Sequence, residues 1–218
     1  MNSQPRKFSL LLSAGVLLVM LTLLLAYLLT GLEKYSSKTK PLPVIGDVNP
    51  FSLTNQAGVA VSLADFRGKV WIADVIFTRC PGPCLKMTRQ MKELQAELTA
   101  KDRLRLVTVT TDPSFDTPSV LAKYAARFDA DTSRWTFLTG PKTEIAALVS
   151  GGLKLSAVEV KPEERTSAND LYIHSTIFAL VDQQARLRGV FDTGGEGVDW
   201  PAQKQKIISA ARQLEHEP

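Results

Sequence analysis

Sulfur and imidazole are scarce in this chain: its 218 residues include two cysteines, two histidines and four methionines. Two cysteines cannot form a disulfide framework, and a chain of this length buries a core without one. They stand as Cys80 and Cys84 in IFTRCPGPCLKM, so the Cys-x-x-Cys of a dithiol oxidoreductase is missing. A peroxiredoxin motif is missing too, because Phe77 stands three residues before Cys80 and Pro81 three before Cys84. No proline occurs between Pro162 and Pro201. A strong charge imbalance is also lacking: the formal net charge is +4, which gives no support to nucleic-acid binding. No repeat, heptad array or low-complexity tract is present.

The hydrophobic content is instead concentrated. Residues 8–30, FSLLLSAGVLLVMLTLLLAYLLT, carry no charge. As a helix they would measure roughly 34 Å, enough to cross a hydrocarbon core of about 30 Å. The run is longer than the core of a cleaved signal, and GLEKYSS after it has no Ala-x-Ala site, so the reading is an uncleaved signal anchor rather than a removed signal peptide. The sequence therefore divides into a short tail (1–7), a transmembrane anchor (8–30), a linker (31–48) marked by Pro41 and Pro43, and a domain (49–218). A short N-terminal tail and a large domain after one span place that domain outside the cytoplasm, on the periplasmic or outer side of a bacterial inner membrane.

Within the domain, Phe51–Thr54 and Val59–Leu63 alternate around Gln56-Ala57-Gly58 as a hairpin. Lys69–Phe77 (KVWIADVIF) and Leu104–Thr110 (LRLVTVT) are nearly continuous apolar runs, as doubly buried strands should be. Met87, Met91, Leu94 and Leu98 recur at helical spacing after Cys84; core packing accounts for both methionines better than thioether ligation does. Pro118–Phe128 predicts a helix, Trp135–Leu138 a strand, and Lys142–Val149 a helix ending before Gly151-Gly152. Residues 154–170 read as a polar, irregular excursion. Thr176–Asp182 and Ala185–Phe191 form an antiparallel pair, and Pro201–Leu214 a closing helix. The fold class is α/β: a central mixed sheet flanked by helices, led by a hairpin, with cysteines between the first central strand and first helix. That is the thioredoxin-like layout.

A cysteine near a helix N-terminus meets free N–H groups and the positive end of the dipole, which predicts easier ionisation of Cys80 or Cys84, with Arg79 helping. The pair can close a disulfide, serve as a redox couple or point two sulfurs at one ion. Of the histidines, His216 falls in a tail expected to fray. His174, in LYIHSTIFALVD, stands at the entry to a core strand, where a thioredoxin-like redox enzyme would show proline. Two thiolates and an imidazole make a soft set suited to Cu(I) and tolerant of Cu(II), whereas zinc would need a fourth ligand or water.

Five ordered segments, LADFRGKVWIADVIF, FTRCPGPC, VTTDPSFDTPSVLAKYAARF, WTFLTG and HSTIFALVD, resemble the Sco/SenC family of copper-binding, thioredoxin-like proteins that serve cytochrome c oxidase assembly. The resemblance implies copper ligation by Cys80, Cys84 and His174. It implies an influence of Asp112 on the site from behind the ligands, against the plainer reading of Asp112 as a turn cap. It also implies a partner, the oxidase subunit bearing the dinuclear CuA centre, besides another copper chaperone or thiol-disulfide protein. Leu85 stands where such proteins often have proline. The expected function is a membrane-tethered metallochaperone without enzymatic turnover; the alternatives are a thiol:disulfide oxidoreductase reducing client cysteines, and a redox or copper sensor.

Overall fold

The computed structural model describes residues 15–28, 40–80, 82–99, 103–164, 172–195 and 197–217. The chain divides into two compact units, Met1–Pro41 and Leu42–Pro218. In the first, residues 15–28 form helix α1, exposed throughout. Among the described residues no helix is long and apolar enough to cross a membrane. The ends of the 8–30 run, and residues 31–39 of the linker, lie outside the described residues.

The second unit is built on β4 (Trp71–Ile76), buried at every position. Ile72 and Ile76 enter one apolar cluster, and Trp71, Ala73 and Val75 the other, as the two-residue period of a strand requires. Parallel β5 (Arg105–Thr110) and antiparallel β9 (Ile177–Val181) flank it. Beyond β5 lie β6 (Trp135–Thr139) and the hairpin of β2 (Ser52–Asn55) and β3 (Ala60–Ser62). Beyond β9 lie β10 (Arg186–Asp192) and β1 (Gly46–Asp47), giving eight strands in the order β1-β10-β9-β4-β5-β6-β2-β3. The mixed sheet, the leading hairpin and the antiparallel last pair agree with the sequence reading.

One face is covered by α2 (Pro83–Ala96), α3 (Pro118–Arg127) and α5 (Trp200–His216), which bury Met87, Met91, Leu94, Leu121, Ile207 and Leu214. The other carries a 3₁₀ turn at Leu63–Phe66 and α4 (Lys142–Ala146), with Leu63, Phe66, Ile145 and Leu148 in its cluster. α4 does not stop before the glycine pair but widens into a π-helical turn, Ala147–Gly152. Leu153 N donates to Leu148 O at 2.8 Å across it. A side chain at Gly152 would come within 3.2 Å of Val48 Cγ1, so this glycine permits close packing rather than ending the helix.

The polar excursion is more regular than its composition predicts. β7 (Ala157–Glu159) pairs antiparallel with β8 (Tyr172–His174) in a separate ribbon. Buried Leu155 and Val160 bracket β7, and half-buried Ala157 packs against the same apolar cluster as Leu155, so these residues dock a strand whose Val158 and Glu159 are exposed. Residues 165–170 lie outside the described residues.

Candidate metal centre

β4 runs directly into the cysteine loop, where Cys80 N donates to Phe77 O at 3.1 Å and closes a turn. Gly82 is the N-cap of α2 and Pro83 follows at N1, where its fixed φ suits the first turn and its missing N–H is no loss. Cys84 thus sits in that turn and Cys80 on the loop before it; Pro81 lies outside the described residues. Neither cysteine is in a disulfide, and both are buried, Cys84 completely. Their side chains are in hydrogen-bonding contact.

The expectation of easy ionisation fails at Cys84. Burial pushes its thiol well above the ordinary range, and contact with Cys80 and the charge of Asp74 act in the same direction; only a backbone hydrogen bond at Phe77 opposes them. Desolvation outweighs the helix dipole because the sulfur lies beneath the surface, where the charged form loses its water. A thiol held in this way yields its proton when a cation takes its place.

Two carboxylates pin the residues just ahead of Cys80. Asp116, fully buried, accepts from Thr78 N at 3.1 Å and from the Thr78 and Thr110 hydroxyls. Asp112 accepts from Arg79 Nη2 at 2.5 Å, while the Arg79 guanidinium lies 4.2 Å over the Phe115 ring. The Asp112 carbonyl meanwhile accepts from Phe115 N at 3.1 Å and Asp116 N at 2.9 Å. The backbone of Asp112 therefore closes the turn, and its carboxylate reaches the cysteine loop through Arg79.

A second polar group lies within the core around Cys84. Thr88 Oγ1 donates to Cys84 O at 2.8 Å and lies 2.8 Å from Tyr124 Oη; with the Thr88 proton so committed, Tyr124 is the donor in that pair. Trp135 Nε1 donates to Thr108 Oγ1 at 2.8 Å, and Thr108 Oγ1 to Asp74 Oδ1 at 2.6 Å. The sequence reading passed over Asp74, Asp116 and Tyr124. The one visible signal was an aspartate inside the apolar run KVWIADVIF, since a buried carboxylate is retained only with partners.

His174 ends β8, with its backbone opposite Ala157; its side chain lies outside the described residues. The core strand β9 begins three positions later, so His174 closes the ribbon rather than opening that strand. Thr176, two residues beyond, lines a cleft of about 250 Å³ together with Gly82, Pro83, Lys86, Met87 and Gly194. The segment after His174 therefore adjoins the first turn of α2. His216 lies within the last turn of α5 rather than in a frayed tail, and Met87 and Met91 are core residues. Among the described residues no three His, Cys, Asp or Glu side chains gather around a metal position.

Fold and site together define a thioredoxin-like dithiol protein whose Cys-x₃-Cys lies at the start of the first helix after the central strand. The SCO1/SenC family model matches residues 45–208, and the chain belongs to that family. It is 37% identical over 147 residues to the SCO1 protein homolog of Bacillus subtilis, covering 66% of this chain and 73% of the relative. A relative from Stutzerimonas stutzeri named for copper binding is 31% identical over 150 residues, covering 68% and 70%. Among solved structures, BsSco, a member of the Sco family of cytochrome c oxidase assembly proteins with an identified disulfide switch, aligns with a TM-score of 0.67 and 30% identity, over 82% of this chain and all of BsSco. A SCO1/SenC family lipoprotein from Bacillus anthracis aligns with a TM-score of 0.62 and 28% identity, over 76% and 95%.

Proposed function

We propose that this protein is a membrane-anchored copper metallochaperone. It holds one copper ion through Cys80, Cys84 and His174 and delivers it to the CuA centre of cytochrome c oxidase. The observation that carries this reading is the pair of thiols, not joined in a disulfide and in mutual contact, where the cysteine loop enters α2. Two adjacent soft donors suit Cu(I), and an imidazole extends the set toward Cu(II). Membership of the family and the copper-binding name of the S. stutzeri relative support copper as cargo. Low coordination suits transfer, because an acceptor ligand binds before the donor ligands leave. Residues 8–30 anchor the domain outside the cytoplasm and raise its effective concentration at a membrane client.

Copper titration of the reduced full chain tests the ligand set. The wild type takes up one ion, and His174→Ala weakens binding about 10–100-fold, the scale of effects seen when a metal site loses a supporting group. An unchanged affinity removes His174 from the site. A second reading, a thiol:disulfide exchange role, is favoured by the same thiol contact and by the disulfide switch in BsSco. A midpoint potential for the Cys80–Cys84 couple well below those of dedicated oxidoreductases, which span about −270 to −120 mV, counts against it.

A further inference from the structure

The surface around the cysteine loop has a charge character that copper binding itself does not require. Every charged residue from Arg79 through Lys92 is basic. Along the exposed face of α2 the charges farther from the cysteines are matched: Lys92 pairs with Asp129 at 2.6 Å, and Glu93 with Lys204 at 3.4 Å. Lys86 and Arg89, exposed two and five residues after Cys84, have no ion-pair partner among the described residues. On the other side of the loop, Arg79 is held on Asp112, with its guanidinium carbon 4.2 Å from the centre of the Phe115 ring, and Phe115 is 43% exposed. Phenylalanine and arginine are both enriched in protein interfaces relative to the rest of the surface. Across the cleft, Asp192 is exposed, but its Oδ1 is engaged by its own loop, accepting from Gly194 N and Gly195 N at 3.1 and 3.0 Å.

We propose that this surface, with Lys86 and Arg89 as its cationic rim and Phe115 as its apolar anchor, docks an acidic face of the domain that accepts the copper. The inference rests on the metallochaperone reading and names the chemistry of its partner. Unpaired cations beside a buried site fit a partner of opposite charge, because they steer encounter without engaging the ligands. The cleft between Pro83 and Thr176 leaves a recess at the first turn of α2 for a side chain of that partner. Exposed Phe115 supplies contact area that the cations lack.

The test is stopped-flow copper transfer from the copper-loaded full chain in detergent to the copper-free CuA domain of the same organism. Lys86→Glu/Arg89→Glu is compared with Lys206→Glu/Arg212→Glu, an equal charge change at exposed positions of α5. All variants should bind one copper. The α2 pair should slow second-order transfer at least about ten-fold at low salt, and the deficit should shrink as salt screens the charges. The α5 pair should leave the rate near wild type, and Phe115→Ser should slow transfer at both ionic strengths. Equal rates for the two charge pairs, with efficient transfer by the wild type, would overturn the docking surface and leave the metallochaperone intact. Failure of the wild type to transfer copper at all would overturn both.

Discussion

A single carboxylate, Asp116, fastens the chain just ahead of Cys80 to the end of β5. Three donors converge on it, from Thr78 N and the hydroxyls of Thr78 and Thr110. Asp116→Ala would leave all three without this acceptor, at a cost of about 1–3 kcal/mol for the fully buried Thr110 hydroxyl and less for the part-buried Thr78 donors. The expected outcome is a lower urea midpoint and a looser cysteine loop, read as faster alkylation of Cys80; Asp116→Asn keeps one acceptor and should fall between. Unchanged unfolding and alkylation would show that the loop is held by other contacts. Arg79 is different, since its side chain is 40% exposed and its ion pair with Asp112 contributes little to stability. Its place is on the surface that a partner meets.

At the scale of elements, the cysteine helix and the strand after the ribbon are kept close by a glycine. A side chain at Gly194 would come within 2.6 Å of Thr176 Cβ, and a β-branched residue cannot swing away from that contact. Gly194→Ala should therefore push the segment after His174 off α2. The expected cost is about 1–3 kcal/mol of overpacking, with weaker copper retention against a chelator; retention equal to wild type would show that this spacing does not matter to the site. The doubly buried strands were legible in the sequence because burial on both faces leaves an unbroken apolar run, as in β4 and β5. The ribbon of β7 and β8 was not, because Val158 and Glu159 face water and its pairing joins segments separated by the polar excursion. The π-helical turn was hidden for another reason: Gly151-Gly152 reads locally as a stop, and only the approach of Val48 shows why Gly152 must be small.

For the molecule as a whole, Arg188 ties both ends of the domain to its sheet. Its guanidinium donates to Asp182 Oδ2 at 2.8 Å, to Glu217 Oε2 at 2.7 Å and to Leu42 O at 2.6 Å, and only 3% of it is exposed. Arg188→Met would leave Asp182 buried without this partner and release residues 42–43 and the end of α5. Breaking a buried pair in this way costs about 3–5 kcal/mol, measurable as a large fall in thermal midpoint. The network also sets a pH dependence. Burial pushes the Asp182 carboxyl up, but hydrogen bonds from Arg188 and from the Arg186 backbone and side chain outweigh it and hold the carboxyl below its usual range. A depressed folded value stabilises the protein above the unfolded carboxyl value of about 3.9, and that stabilisation is lost as pH falls through the folded value. Asp182→Asn should be less stable at neutral pH and lose less on acidification; parallel acid limbs for variant and wild type would assign the effect elsewhere.

By itself, the sequence determined the order of the central strands and the helices packed on them, the burial of the central strand and the position of the cysteines at the opening of a helix. Those features follow from local periodicity and from proline geometry at Pro83, which act over a few residues. Only the tertiary structure decided how deeply Cys84 is buried, and so whether the helix dipole or desolvation governs its thiol. It also brought Thr110 and Asp116 under Thr78, and Phe115 under Arg79, and left Lys86 and Arg89 without an ion-pair partner among the described residues. Each of these depends on which distant residues approach, and solvation and Coulomb energies are set by those neighbours rather than by adjacency along the chain.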